Sequence, residues 1–549
     1  MFCYQCKQTA GGAGCTRAGV CGKDAGTSDL QDLLVHAAKG VSMVARRARG
    51  LGVVDRKADI FVLEALFATV TNVDFDPRRL EAMLRESVKV RDRVRAAYEK
   101  ACRAAGREPE RLKGPADWVP ADRLEDLVGQ GREVGLDKTI ARLGEDVGGL
   151  YSLVLYGLKG MAAYADHARI LDVEDDAVYG FFHETLDFLS SRDLSVEGLL
   201  GRALEVGKTN FRVMELLDRA NTTAFGHPEP TRVRITPRRG KAILVSGHDL
   251  KDLEEVLKQT EGTGVKVYTH GEMLPAHGYP GLKKYSHLAG NYGGAWQDQR
   301  EEFEAFPGAV LMTTNCIQKP KESYKGRIFT TGLVAWPGVR HLADKDFRPL
   351  IEAALGEDGF AEDGEDRHIT VGFGHRAVLS RADRAVEAVK SCRIRHFFLV
   401  GGCDGAKPGR NYYTRLAELV PGDCIILTLA CGKYRFNKMD FGEAAGLPRL
   451  MDVGQCNDAY SAVRVASALA EAFGTDVNGL PLTLILSWYE QKAVVILLTL
   501  LHLGIRNIRL GPSLPAFVTP PVYRVLRESF GLQPVSTPEE DLRSALGQD

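Results

Sequence analysis

AILVSGHDLKDLEEVLKQTEGTGVKVYTHGE, residues 242–272, decides how the second half of the chain folds. An apolar run, AILVSG, gives way to a helical stretch, and a second run, VKVYTHG, follows it. Continuous apolar strands alternating with helices belong to parallel sheets covered on both faces. The same grammar continues in AVLMTTN, HFFLVGG, CIILTLA, RLMDVGQ, LTLILSW and NIRLGPS. Two α/β domains are expected, 226–365 and 366–549, separated by the acidic run LGEDGFAEDGEDR (355–367).

Toward the N-terminus the pattern is helical. SDLQDLLVHAAKGVSMVARRARGLG begins with a capping-type Ser28 or Asp29 and ends in glycine. DPRRLEAMLRESVKVRDRVRAAYEKACRAAG steps Leu80, Leu84 and Val88 along one face. GLYSLVLYGLKGMAAYADHARIL and VEGLLGRALEVGKTNFRVMELLDRAN repeat the theme, and Asp117–Pro120 and Thr222–Pro237 read as connectors. The expected fold class is multidomain: a cysteine-rich segment (1–27), an all-α region of helical bundles (28–225) and two α/β domains with mainly parallel sheets.

Composition narrows the function. The 549 residues are 44% hydrophobic and 26% charged, with 71 basic against 72 acidic side chains and a net charge of −1. That balance gives no electrostatic reason to expect nucleic acid or a membrane surface as partner. LPLTLILSWYEQKAVVILLTLLHLGI (480–505) is broken by Glu490, Gln491 and Lys492. It reads as a strand, a turn and a helix, because a membrane span needs about 20 apolar residues without such a break. The opening lacks a basic start followed by an apolar run, so a cytoplasmic location is expected. In that compartment 11 cysteines point to metal ligation or thiol chemistry ahead of disulfides.

Four of them crowd MFCYQCKQTAGGAGCTRAGVCGK (1–23): Cys3, Cys6, Cys15 and Cys21. Zinc favours two close pairs on two short turns, and here only the first pair is close. An iron–sulfur cluster suits irregular, glycine-rich spacing better, since the backbone can wrap the cluster and donate N–H groups to it. Spacing alone leaves disulfides, zinc and a cluster open.

The strand ends carry a second set. AILVSG is followed by His248, VKVYTHG by Glu272, AVLMTTN by Cys316, HFFLVGG by Cys403, CIILTLA by Cys431, RLMDVGQ by Cys456 and LTLILSWY by Glu490, with Lys492 two residues on. A lone cysteine after a strand is usually a small hydrophobe, and a lone His or Glu is usually a cap. The recurrence points to function, because open α/β sheets gather functional groups outside the carboxyl ends of their strands. Cys102, Cys392 and Cys424 fall within expected helices or at a strand's beginning and take the bland reading. Four thiols, one imidazole and two carboxylates form a mixed soft and hard donor set, suited to iron carrying both sulfide and oxygen ligands.

On FCYQCKQTA, SGHDL, THGEMLPAHGYP, TTNCIQKP, GGCDGAKPGRNYYT, LACGKYRFN, DVGQCNDAYSA and SWYEQKAV the chain resembles the hybrid-cluster (prismane) proteins from Met1 nearly to its end. The resemblance implies a [4Fe–4S] cluster on Cys3, Cys6, Cys15 and Cys21. It implies a hybrid [4Fe–2O–2S] cluster on His248, Glu272, Cys316, Cys403, Cys431, Cys456 and Glu490. Cys403 would be able to carry a persulfide, with the flanking glycines of GGCDG giving it room. The implied fold is a helical domain plus two α/β domains, an architecture similar to nickel carbon monoxide dehydrogenases. The implied reaction is two-electron reduction of hydroxylamine to ammonia and water by a cytoplasmic monomer fed by a separate electron-donor protein. Glu272, Glu490 and Lys492 are the expected catalytic residues, Lys492 as proton donor, with His270 or His277 as further proton-path candidates. A buried lysine is expected to release its proton more easily than in water. Three rival readings remain: nitric oxide as substrate or a protein S-nitrosylating role, a sensor or electron carrier without turnover, and a carbon monoxide dehydrogenase-like enzyme.

Overall fold

The computed structural model describes residues 1–403 and 411–547. Helices come first: α1 (Ala25–Arg49), α2 (Arg56–Ala68), α3 (Pro77–Ala104), α4 (Leu124–Glu133), α5 (Leu136–Leu143), α6 (Glu145–Ile170), α7 (Asp176–Phe188) and α8 (Val196–Phe225). The start of α1 corrects the expected cap. Asp24 caps it, accepting from Thr27 N, while Ser28 and Asp29 are buried inside the helix. On α3 the buried line is Leu80, Leu84, Ser87, Arg91, Val94 and Tyr98. Val88, expected on that line, is only half-buried. Each step of four residues overshoots a full turn by about 40°, whereas seven residues nearly close two turns.

The strands follow: β1 (Thr231–Arg234), β2 (Ala242–Ser246), β3 (Lys266–His270), β4 (Leu288–Asn291), β5 (Ala309–Met312), β6 (Ile328–Thr331), β7 (Arg340–Leu342), β8 (His368–Val371), β9 (His396–Gly402), β10 (Cys424–Leu429), β11 (Glu443–Ala444), β12 (Leu447–Pro448), β13 (Leu450–Gly454), β14 (Leu482–Ser487), β15 (Arg509–Gly511) and β16 (Gln533–Pro534). One parallel sheet has the order β4-β3-β2-β5-β6-β7, and a second has β13-β10-β9-β14-β15-β16. β2, β5 and β10 are buried along their whole length, as strands covered on both faces must be. Each sheet reverses its winding once, between β2 and β5 and between β9 and β14. At such a reversal the crevice beyond the carboxyl ends is open to hold ligands.

Three local expectations change. The connector expected at Thr222–Pro237 is partly ordered: α8 runs on to Phe225, and β1 pairs antiparallel with β8. Leu355 and Gly356, expected within the separating run, close the helix Arg348–Gly356. Cys392 lies past the end of the helix Ala382–Lys390, exposed in a turn at φ 55°. Among the described residues no helix is long and apolar enough to cross a membrane.

The helical region and the second sheet share one core. The helix Gln491–His502, which follows β14, packs against both α6 and α8. Its Val494, Val495, Leu498 and Leu501 meet Leu158, Met161, Val206 and Val213 in one buried cluster. Burying each such side chain contributes about 1.5–3 kcal/mol. Glycines permit the close approach: a Cβ on Gly160 would stand 2.2 Å from Gln491 O, and one on Gly207 2.2 Å from Leu498 O.

Candidate metal centre

Each strand end aims its functional side chain by a distinct local device. After β2, Gly247 takes φ 116°, and a Cβ there would stand 2.3 Å from Thr313 Oγ1. His248 then turns inward and is anchored twice by Thr314 Oγ1, which accepts from His248 N and lies 2.9 Å from Nδ1. That contact leaves Nε2 as the free donor atom, the usual arrangement of a metal-ligating imidazole. After β5, Cys316 adopts φ 82°, rare for a residue with a side chain. Its N–H donates to Asn72 O at 3.0 Å, and Asn315 Nδ2 donates to its sulfur at 3.4 Å. Before Cys431, Ala430 stands at φ 63°. At the end of β9, Gly402 takes φ 101°, and a Cβ there would stand 2.1 Å from Ser487 O of β14. Cys403 follows at once, whereas residues 404–410, including the second flanking glycine of GGCDG, lie outside the described residues.

The donors converge. His248, Glu272 and Cys456 offer ligand atoms all within 4.8 Å of one another, the one such trio among the described residues. Glu272 Oε2 accepts from Cys456 N at 2.8 Å, while its Oε1 is buried without a hydrogen-bond partner. Glu490 caps the helix Gln491–His502, its Oε2 accepting from Lys492 N at 2.9 Å. Lys492 is completely buried, and its Nζ lies 3.0 Å from both His248 Nε2 and Asn315 Oδ1. Cys403 and Cys431 share a buried cluster with Cys6, Trp296 and Tyr489, and Cys316 packs against it. Trp296 and Tyr489 stack at 4.2 Å.

Burial dominates the electrostatics. It pushes the thiols of Cys316, Cys403, Cys431 and Cys456 and the carboxyls of Glu272 and Glu490 upward. Burial, with Lys492 and His167 alongside, holds His248 well below the ordinary histidine range. Lys492 reverses the expectation of an easily lost proton. Burial pulls it down, but Cys456, Glu490, Cys316 and Cys403 outweigh that and hold its ammonium above the usual lysine range.

The N-terminal cysteines gather next to this centre, with Cys6 reaching its thiol cluster. Cys3 and Cys15 pair as an antiparallel bridge, with N–H···O bonds of 3.0 and 2.8 Å. Ala10 N donates to Cys15 Sγ at 3.3 Å. No three of the four sulfurs meet within 4.8 Å, although thiolates around one tetrahedral zinc stand about 3.8 Å apart. All are free thiols. The segment is tied to the second centre, since Lys7 N donates to Tyr489 O at 2.9 Å and Gln491 Nε2 to Gln5 O at 2.7 Å.

The Prismane/CO dehydrogenase family profile matches residues 1–543. The chain belongs to that family. A Syntrophobacter fumaroxidans protein named hydroxylamine reductase is 58% identical over 547 residues, with 100% of both chains covered. A Geobacter metallireducens protein of the same name is 56% identical over 550 residues, again with 100% of each covered. Among solved structures, carbon monoxide dehydrogenase IV from Carboxydothermus hydrogenoformans superposes with a TM-score of 0.56 at 15% identity. The match covers 97% of this chain and 89% of that one. The fold is therefore that of the Prismane/CO dehydrogenase family.

The donor set fits a metal cluster. Three buried thiols (Cys403, Cys431 and Cys456), the half-buried Cys316, two buried carboxyls, one of them with an unpartnered oxygen on Glu272, and one buried imidazole are costly without a cation to stabilise their ionised forms. Of the other proton-path candidates, His270 is held between Ser246 Oγ at 2.9 Å and Glu302 Oε2 at 2.8 Å, and His277 by Thr269 Oγ1 at 3.0 Å. The strand-end reading missed several supports. Thr314 and Asn315 were visible only as neighbours of Cys316 in TTNC. Lys433, fully buried, donates to Asp452 Oδ1 at 2.6 Å and to Gly454 O at 2.8 Å, fixing the strand end before Cys456. An apolar cavity of about 90 Å³ reaches the centre, lined by Cys403, Cys456, Leu429, Ala459, Val463 and Leu486 among others.

Proposed function

We propose that this chain is a hydroxylamine reductase, catalysing NH2OH + 2e⁻ + 2H⁺ → NH3 + H2O. The observation that carries the reading is the convergence of His248, Glu272 and Cys456 from three strand ends, within 4.8 Å, beside a buried lysine. We assign His248, Glu272, Cys316, Cys403, Cys431, Cys456 and Glu490 to a hybrid iron–sulfur–oxygen cluster, and Cys3, Cys6, Cys15 and Cys21 to a [4Fe–4S] cluster. Bound there, the hybrid cluster would supply Lewis acidity and electrons for breaking the N–O bond.

The protein's own groups do the rest. Glu272 and Glu490 bring hard oxygen donors into a thiol-rich set. Lys492 holds a proton at Nζ, 3.0 Å from His248 Nε2, and delivers it to the departing oxygen so that water leaves. Asn315 Oδ1 accepts from that ammonium at 3.0 Å and fixes it in place. The burial of Glu272, Glu490 and Lys492 keeps bulk water away. A cluster held by Cys3, Cys6, Cys15 and Cys21 would supply the redox chemistry for accepting electrons from a separate donor protein.

Anaerobic assay with reduced viologen and hydroxylamine tests this. Glu272→Gln keeps an acceptor for Cys456 N but loses the anionic donor, and should lower kcat at least a hundredfold while the N-terminal cluster's spectrum is unchanged. Cys392→Ser, at an exposed position away from the centre, should retain wild-type turnover. Full activity in Glu272→Gln would refute the assignment. A second reading, reduction of nitric oxide, is favoured by the apolar lining of the cavity beside Cys403 and Cys456. An uncharged diatomic loses little by entering such a space.

A further inference from the structure

A polar cavity of about 330 Å³ lies against the N-terminal segment, lined by Cys3, Lys23, Asp32 and Lys159 among others. Lys23 is 6% exposed and Lys159 4%. Lys23 Nζ donates to Gln31 Oε1 at 2.7 Å and points at Cys3 Sγ, 3.8 Å away. Gln31 is itself held, its Nε2 donating to Asp74 O at 2.8 Å. Lys159, from α6, reaches only neutral acceptors, Gln5 Oε1 at 3.3 Å and Thr69 O at 3.4 Å. Neither ammonium forms an ion pair with a carboxylate within 4.0 Å among the described residues.

Half-buried Asp32, on the same cavity, faces both ammonium groups without pairing with either, and one carboxylate does not offset two buried cations unless further negative charge faces them. Four thiolates around an anionic cluster would be that charge. The fixing of Lys23 by Gln31 and Asp74 directs its donor at one ligand sulfur. Adding an electron to a cluster adds negative charge, so a buried cation close to a ligand sulfur favours the reduced form.

We propose that Lys23 and Lys159 are the counter-charges of the N-terminal cluster, and that Lys23, donating to Cys3 Sγ, raises its reduction potential. Both are positioning residues, and the proposal rests on the reading of Cys3, Cys6, Cys15 and Cys21 as cluster ligands. Lys23 acts at contact distance. Lys159 acts from the neighbouring helix through the same low-dielectric interior, with a smaller effect. This sets the ease with which the entry cluster accepts an electron and leaves the chemistry at the second centre to its own ligands.

An equilibrium redox titration of the N-terminal cluster, followed by its reduced-state electron paramagnetic resonance signal without hydroxylamine, tests this. Lys23→Met should shift the equilibrium toward the oxidised cluster at least tenfold, which for one electron is about 59 mV. Lys23→Arg, which keeps the charge, should stay within threefold of wild type, and Lys159→Met should shift the same way by less. Wild-type potentials in both methionine variants at full iron content would overturn the proposal. If Lys23→Met fails to hold the cluster, Lys159→Met decides alone: an unchanged potential there overturns it. A wild-type chain lacking the signal while still reducing hydroxylamine would overturn the ligand assignment and this proposal together. A normal signal without turnover would count only against the proposed reaction.

Discussion

Cys316 and Ala430 show what single residues contribute, since each takes a left-handed backbone conformation at a strand end. Such positions cost about 1–3 kcal/mol apiece and persist only where their surroundings over-determine them. Here the return is a thiol turned toward a common centre. His277 behaves oppositely, as a structural group. Burial lowers its pKa to about 4, and Thr269 holds its ring. The native state therefore binds this proton less readily than the unfolded chain. Its contribution, on the order of 3 kcal/mol, is complete above the unfolded histidine value near 6.5 and is lost as pH falls toward 4. Thermal midpoints at pH 7 and pH 5 should show a smaller acid loss in His277→Gln than in wild type, and equal losses would contradict the account. At this scale the sequence displayed the donors well, because each follows an apolar run. The state of Lys492 was not legible, because it depends on thiols brought from three distant segments, Cys316, Cys403 and Cys456, besides nearby Glu490.

Elements succeed where glycine removes a side chain. α6 and α8 both touch the helix Gln491–His502 at backbone distance, and Gly160 lies against Gln491, the neighbour of Glu490. Gly160→Ala should cost about 1–3 kcal/mol by overpacking and should lower turnover, because it displaces the helix that begins at Glu490. Gly201→Ala, on the exposed side of α8 with nothing within 4 Å of the new Cβ, should be neutral or stabilise by about 0.5–1 kcal/mol. Thermal melts of the two variants separate packing from helix propensity. Equal midpoints would remove the close crossing from the argument. The long apolar strands were plain in the sequence. β4, β6 and β7 were not singled out: β7 is three residues long and mostly unburied, and the buried β4 and β6 carry Gly, Asn and Thr in place of a continuous apolar run. The cap of α1 was misread because Asp24 lies within a cysteine-rich segment whose order comes from tertiary contacts.

Across the whole molecule, two parallel sheets turn their winding reversals toward one buried centre, and a helical region clamps the strand-to-helix turn after β14 against it. The N-terminal segment is held by Tyr489 and Gln491, the residues flanking Glu490, so the two cysteine sets share one support. That coupling was invisible in the spacing of Cys3, Cys6, Cys15 and Cys21, which describes a local loop and says nothing of what it rests on. It is what an electron-entry site joined to a catalytic site requires. The most direct measurement is the ratio of electrons consumed to ammonia formed, taken anaerobically with reduced viologen and hydroxylamine on fully iron-loaded protein. The account predicts two electrons per ammonia, with ammonia formed at least a hundredfold more slowly by Glu272→Gln. Protein with its full iron complement that forms no ammonia, or consumes electrons without forming it in that ratio, would contradict it.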